Sequence, residues 1–219
     1  MRETPKIHSF KIAGPAGGGI KSAGLLLQKI LRSNSYYTFG YTEYPSLIRG
    51  GDNTYQIDFA KTPINSSETK LDLLIALNEN SYNLHIKELN SDAIALIEEE
   101  LFKKATEASG ATGSNSKTKA IPITKILAEN KLPPILENTI YIGVCTGILG
   151  IDLENVKAIV KETYHDFVEQ NLLAIEKGHE IGHTIGSTQD NTLHIDLSQN
   201  NANACQVITA NEAVAQSFI

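Results

Sequence analysis

The sequence predicts an α/β domain built as a three-layer α/β/α sandwich. Short apolar runs of strand length alternate with helical periodicity in the first half, helices cluster in the second half, and a glycine-rich turn sits where the first strand gives way to the first helix. The chain has 219 residues, enough to bury a sizeable core in one domain.

Ile7–Ala13 reads as the first strand. Ile20, Ala23, Gly24, Leu27, Ile30 and Leu31 recur at helical spacing behind it. Tyr36 to Thr42 is rich in strand formers. Thr54 to Phe59 alternates, with Tyr55, Ile57 and Phe59 on one face. Leu71–Leu77 is a continuous apolar run, as expected of a strand covered on both sides. Asn78 is placed to cap a helix running through Leu89, and Ala93–Ile97 is a further apolar run. Residues 106–119 are polar and rich in Gly, Ser and Thr, which predicts an excursion from the domain. Ile123–Asn130 reads as a short helix stopped by Pro133-Pro134. Glu137–Leu149 fits a buried helix, although its β-branched residues also fit a strand, and Gly150 ends it. Asp152 caps an amphipathic helix carrying Val156, Ile159, Val160 and Tyr164. The pattern Phe167, Leu172, Leu173, Ile175 predicts a last helix ending at Gly178. The expected division is a domain over 1–185, a linker over 186–206 that is rich in Asn, Gln, Ser and Thr, and a separate beginning at 207–219.

Net charge is −6, which argues against nonspecific nucleic-acid binding. Cys145 and Cys205 match no metal or redox spacing and suit a reducing compartment. No signal-like segment or bilayer-length apolar run is present, so a cytoplasmic location away from membranes is expected.

Two glycine turns are the strongest candidates for function. The first is Gly14-Pro15-Ala16-Gly17-Gly18-Gly19-Ile20. Glycines at a strand–helix junction let backbone N–H groups approach an anion, and the helix start favours negative charge. The same glycines also serve tight helix–strand packing, and Pro15 removes one donor. A dinucleotide fingerprint does not fit: from Gly14 the second glycine is Ala16, and from Gly17 the third is Ser22. Glu43, at the end of the second strand, is nevertheless placed where a ribose-binding acid would stand, so a free-standing nucleotide-binding module remains an alternative. The second turn is Tyr44-Pro45-Ser46-Leu47-Ile48-Arg49-Gly50-Gly51. Arg49 offers a bidentate fork for carboxylate or phosphate, or braces the turn through Glu43 or Asp52.

A third string, His179-Glu180-Ile181-Gly182-His183, spells the zinc-hydrolase pattern H-E-x-x-H. Gln189 stands where a third ligand would be, the only methionine is Met1, and Gly178 and Gly182 are expected to weaken the helix. Surface histidines at a helix end are the preferred reading, with zinc on His179 and His183 the alternative.

The two glycine turns, in this order and separation, resemble the gamma-type domain of 2-oxoacid:ferredoxin oxidoreductases. That family pairs Gly-x-Gly-Gly-Gln-Gly-Ile with a Tyr-Pro-Ser-x-Arg-Gly-Gly-like segment. Here Ala16 and Gly18 replace a glycine and the glutamine, so any role of that glutamine is absent. Asn138–Gly150 and Asn171–Gly178 resemble the family's later helices, and Ile208–Ala215 resembles the start of the thiamine-pyrimidine-binding domain in fused gamma–alpha subunits. The resemblance implies an accessory domain without catalytic residues or a cofactor of its own, packed against alpha and beta portions and serving ferredoxin indirectly. The 2-oxoglutarate type is favoured. The complete complex would carry thiamine diphosphate, Mg, iron–sulfur clusters and coenzyme A. Gly14, Gly17, Gly18, Gly19, Tyr44, Ser46, Arg49, Gly50 and Gly51 are the residues the two motifs nominate for an anion or coenzyme A.

Overall fold

The structure, a computed structural model, describes residues 6–44, 51–64, 66–109 and 118–187. Of the linker expected over 186–206 all but the first two residues, and the whole of the segment 207–219, lie outside the described residues. Six strands form one sheet in the order β2-β3-β1-β4-β5-β6. They are β1 His8–Pro15, β2 Tyr37–Glu43, β3 Asp52–Ala60, β4 Leu71–Ala76, β5 Leu89–Glu98 and β6 Thr118–Ile121. β1, β4, β5 and β6 run parallel, and on the other side of β1 the strand β3 pairs antiparallel with β1 and β2 pairs antiparallel with β3.

One face is covered by α1 Ile20–Ser33, α4 Ile123–Glu129, α5 Glu137–Ile148, α6 Leu153–Thr163 and α7 Val168–Gly186. The other carries α2 Glu79–His85 and α3 Glu99–Ser109. This is the expected three-layer arrangement. On the larger face Phe10, Ile12, Ile57, Phe59, Leu73 and Ile75 meet Leu27, Ile30 and Leu31 of α1 and Ile140 and Val144 of α5. Burial at this scale, about 25 cal/mol per Å² of apolar surface, supplies the main favourable contribution.

The smaller face is polar where β1, β3 and β4 meet. Thr54, Gln56 and Asp58 of β3 are buried as fully as Tyr55, Ile57 and Phe59, so the alternation does not mark a solvent face. The chain between β3 and β4 supplies the missing partners. The Gln56 amide donates to the Glu68 carbonyl (2.7 Å) and to Ser9 Oγ (3.0 Å), and the Glu68 N–H donates to Asp58 Oδ2 (3.0 Å). Lys11, equally buried, reaches Glu88 Oε2 at 2.7 Å, and Glu88 Oε1 lies 2.8 Å from His85 Nδ1. Asp72 accepts the Ser9 N–H (3.0 Å) and the Asn90 amide (3.1 Å) beside the His8 ring. Polar groups held this way avoid the cost of being buried without partners.

The bounds of two helices differ from expectation. Asn78 caps α2 through the Ser81 N–H (2.7 Å), but the helix stops at His85, a 3₁₀ turn follows, and Leu89 already belongs to β5. The last helix does not end at Gly178 but continues through the H-E-x-x-H string to Gly186, and it starts after Phe167 rather than including it. The polar stretch 106–119 is likewise not wholly an excursion, since α3 extends to Ser109 and β6 begins at Thr118.

Glycines expected to weaken α7 instead seat it on α5. A Cβ added at Gly178 would overlap the Ile140 carbonyl oxygen, and one at Gly182 the Val144 carbonyl oxygen. From the other side, Gly143 faces the Ile175 carbonyl and Gly147 the His179 carbonyl. The two backbones touch directly along this seam, which also settles Glu137–Leu149 as helix rather than strand. Gly→Ala in a helix normally stabilises by roughly 1 kcal/mol. Forcing two packed helices apart costs about 1–3 kcal/mol or more. Gly182→Ala is therefore predicted to lower the melting temperature by several degrees, whereas Gly186→Ala, where the nearest atom is 3.0 Å away, should change it little. Equal shifts for the two variants in a thermal melt would contradict a tight seam.

The polar layer predicts acid lability. Burial pushes the Asp72 carboxyl upward, but the adjacent His8 ring and hydrogen bonds from Ser9 and Asn90 outweigh it and the net shift is down. Glu88 behaves alike, with burial outweighed by Lys11 and His85. A carboxylate whose pKa is lower folded than unfolded contributes stability above its unfolded value, near about 4, and loses it as pH falls through the folded value. Stability should therefore drop below about pH 4. Asp72→Asn should flatten that drop in denaturant titrations at several pH values, and an unchanged acid limb would contradict the assignment.

Candidate functional site

The carboxyl ends of β1 and β4 lie side by side, joined where the Leu77 N–H donates to the Ala13 carbonyl (2.9 Å). A cleft of about 590 Å³ opens there. Open parallel sheets commonly bind ligands at this edge. One wall is the first glycine turn, from Pro15 to Ser22. The opposite wall is Pro134–Thr139, leading into α5, together with Tyr164–Asn171 around the start of α7.

The glycine turn has the shape its composition implies. Gly17 (φ 85°) and Gly19 (φ 74°) lie in the left-handed region that side chains disfavour. Gly19 caps α1, and the Gly18 N–H donates back to the Pro15 carbonyl (3.0 Å). The turn is fixed from outside by Asn138, whose side-chain amide donates to the Gly18 carbonyl and occupies the space a Cβ on Gly19 would need. Thr139, the next residue, donates through Oγ1 to Asn171 Oδ1 (2.9 Å). The Asn171 amide then donates to the Phe167 carbonyl (3.1 Å). The first turn of α5 thus ties both walls of the cleft together.

The two glycine motifs are neighbours. The Ala16 N–H donates to the Gly51 carbonyl (3.2 Å), and Gly14 and Pro15 pair with Asn53 and Asp52 in the β1–β3 ladder. Asp52 anchors this junction. It accepts the Asn78 amide (3.0 Å), the Asn80 amide (2.6 Å) and the Ser81 hydroxyl (3.0 Å) at the start of α2. Burial pushes its carboxyl up, but these three donors outweigh it and hold it below the usual range.

Of the nominated residues, Gly17, Gly18 and Gly19 line the cleft. Gly14 belongs to the β1–β3 ladder, Gly51 supports Ala16 through its carbonyl, and Tyr44 is exposed beyond the end of β2. Ser46, Arg49 and Gly50 lie outside the described residues. Glu137, Asn138, Thr139, Phe167 and Asn171 were not nominated. They are non-local to the glycine turn, and no spacing links them to it. Burial, reinforced by Glu98, raises the Glu137 carboxyl.

The H-E-x-x-H string sits on α7 with its histidines one turn apart, but His179 and Glu180 are engaged elsewhere. His179 Nε2 lies 2.8 Å from the Ile151 carbonyl, and Glu180 pairs with Lys177 at 3.0 Å. Among the described residues no three His, Cys, Asp or Glu side chains are grouped to hold a metal ion. The zinc reading has no support in this arrangement. Cys145 is a fully buried residue of α5, and burial pushes its thiol far up, which does not suit a cluster ligand. No helix among the described residues is long and apolar enough to cross a membrane.

Comparison with known proteins places this geometry. The chain is 27% identical over 178 residues to the 2-oxoglutarate synthase subunit KorC of Methanocaldococcus jannaschii, covering 78% of this chain and 92% of that protein. It is 23% identical over 210 residues to a 2-oxoacid:ferredoxin oxidoreductase subunit alpha from Sulfolobus, covering 79% of this chain but 33% of that protein. The chain therefore spans about a third of the alpha subunit it matches. In fold it is similar to the gamma subunit of a keto/oxoacid ferredoxin oxidoreductase from Geobacter sulfurreducens (TM-score 0.68, 19% identity, 82% of this chain and 98% of that one). It is also similar to part of a 2-oxoglutarate:ferredoxin oxidoreductase from Magnetococcus marinus with 2-oxoglutarate, coenzyme A and succinyl-CoA bound (TM-score 0.66, 17% identity, 82% of this chain and 31% of that one). The sequence profile of the pyruvate ferredoxin/flavodoxin oxidoreductase family matches residues 9–181, and the chain belongs to that family.

Proposed function

We propose that this chain is the gamma-type accessory domain of a thiamine-dependent 2-oxoacid:ferredoxin oxidoreductase, with 2-oxoglutarate as the favoured substrate. The observation that carries the reading is its correspondence to proteins that are themselves single subunits: it covers 92% of KorC and 98% of the Geobacter gamma subunit. The reaction converts a 2-oxo acid to an acyl-CoA and delivers electrons to ferredoxin. Thiamine diphosphate with Mg and the iron–sulfur clusters belong, on this reading, to alpha and beta portions. The Sulfolobus alpha subunit, a third of which matches this chain, supports a close association with alpha, including the fused order suggested by Ile208–Ala215.

The role assigned to this domain is to present coenzyme A. The cleft and the two glycine turns joined at Ala16–Gly51 support it, as does the coenzyme A in the Magnetococcus neighbour. The described lining contains no cation, so Arg49 of the second motif is the residue nominated to meet phosphate.

Two measurements test this. The chain alone should not reduce a viologen dye with any 2-oxo acid, and turnover by it alone would overturn the accessory role. In enzyme reconstituted from this chain with alpha and beta subunits, Arg49→Ala should raise the apparent coenzyme A KM about ten- to a hundredfold, since a charge-assisted hydrogen bond is worth roughly 1.5–3 kcal/mol. Unchanged kinetics with a lowered melting temperature would make Arg49 a structural residue.

A further inference from the structure

The sheet has two outer strands, and they are guarded differently. β6 at one margin is four residues long, carries Lys119 and runs into Pro122. Shortness, a lysine and a proline are devices that keep a strand edge from pairing with another chain. β2 at the other margin has none of them. Its seven residues include no Lys and no Pro, and they pair with β3 from Tyr37 to Glu43 without a bulge. Among the described residues, no backbone hydrogen bond outside the β2–β3 ladder reaches Tyr37–Glu43. Alternate residues of β2 therefore present N–H and C=O groups outward along an open edge.

The side chains agree with the backbone. Tyr37, Phe39, Tyr41 and Glu43 share the sheet face that also carries Gln56 and Asp58, as the β2–β3 register requires. On that face α2 packs on β1 and β4, and α3 packs on β5 and β6. β2 is left to the chain between β3 and β4, which brings Ser67 to Tyr41. Phe39 stays 42% exposed, its ring centre 6.1 Å from that of Tyr41. An exposed aromatic on an unguarded edge is a surface that another chain covers.

The order of residues in β2 identifies that chain. Gly40 is the middle residue of the strand. A second β2 laid antiparallel about a two-fold axis through Gly40 pairs all seven residues. It sets Phe39 against Tyr41 of the second copy, Thr38 against Thr42, and Tyr37 against Glu43. Aromatic pairs and Thr–Thr pairs are among the cross-strand pairs that stabilise sheets. The Arg32 guanidinium carbon stands 5.4 Å from the centre of the Tyr37 ring, so the incoming Glu43 carboxylate meets a cation. A register centred one residue to either side loses the Thr pair and moves Glu43 away from Tyr37.

We infer that β2 is a self-complementary dimer edge, where two copies of this chain pair β2 with β2 about Gly40 and join their six-stranded sheets into one. Each copy gives the other the same surface, so the contact closes on itself and leaves the edge spent. The inference draws nothing from the coenzyme A reading and leaves the cleft free.

Analytical ultracentrifugation of the full chain tests it. The chain should sediment as a dimer that dissociates on dilution. Phe39→Lys puts a charge on the open edge and removes a central ring. It should raise the dimer dissociation constant at least about tenfold while the circular dichroism spectrum stays that of the wild type. Glu43→Arg should also weaken the dimer, and Arg32→Glu combined with Glu43→Arg should restore it, a recovery that a folding defect cannot produce. In hydrogen exchange, amides of Tyr37–Glu43 should gain protection as wild-type concentration rises. A wild-type chain that is monomeric at every concentration would overturn the inference. So would a dimer indifferent to Phe39→Lys, or one whose β2 amides exchange alike at all concentrations. If Phe39→Lys does not fold, the charge swap decides, and a swap that fails to recover association overturns the pairing about Gly40.

Discussion

The backbone contact between α5 and α7 is the constraint on which the rest of the site depends. Gly143 and Gly147 on one helix and Gly178 and Gly182 on the other let the two chains approach until carbonyl oxygens fill the space of missing side chains. The cleft is built at one end of this seam. Asn138 and Thr139 leave the first turn of α5, one toward the glycine turn and the other toward Asn171 on α7. If the helices were spaced at the distance that larger side chains require, the Thr139–Asn171 bond would stretch and the two parts of the wall opposite the glycine turn would separate. Packed interiors transmit such displacements because they contain little free volume.

The opposite layer obeys a different rule. There the sheet buries Ser9, Lys11, Gln56, Asp58 and Asp72 beneath the chain that joins β3 to β4 and the turn that follows α2. Removing one partner from such a network costs more than the pair contributes, because the survivor stays buried without a partner. The network also fixes where β1 and β3 lie relative to each other, and the two glycine turns emerge from the end of that same ladder. Asp52 then ties the junction to the start of α2. The helical face sets the width of the cleft, and the polar face sets the position of its glycine wall.

Much of the fold was legible because it is local. Apolar runs marked β1, β4 and β5, the periodicity of Ile20–Leu31 marked α1, and Asn78 and Asp152 cap helices through the Ser81 and Asn155 N–H groups as their types suggest. The contact between Ala16 of the first glycine turn and Gly51 at the end of the second comes from the β1–β3 register, which no local pattern displays. What failed was judged locally but decided by tertiary contact. Gly178 and Gly182 weaken an isolated helix, yet here they are what allows α7 to dock, so the helix runs on to Gly186. Tyr55, Ile57 and Phe59 share one face as the alternation indicates, while the burial of Gln56 and Asp58 on the other depends on the chain around Glu68, which that alternation does not reveal. The far wall of the cleft was not legible at all. Asn138 reaches Gly18 across 120 positions, and Phe167 read as one more apolar residue of a helix instead of an exposed ring before it.

Amide hydrogen exchange on the full chain, with and without coenzyme A, tests the central claim most directly, because it reads the seam and the cleft together. Without ligand, the amides of α5 and α7 along the seam should exchange slowest, since opening them requires separating the two helices. With coenzyme A, protection should increase at residues 14–19, 51–54, 134–139 and 164–171, the two glycine turns and the wall opposite. A seam that exchanges as fast as the helix ends, or ligand protection that avoids these segments, would contradict the account.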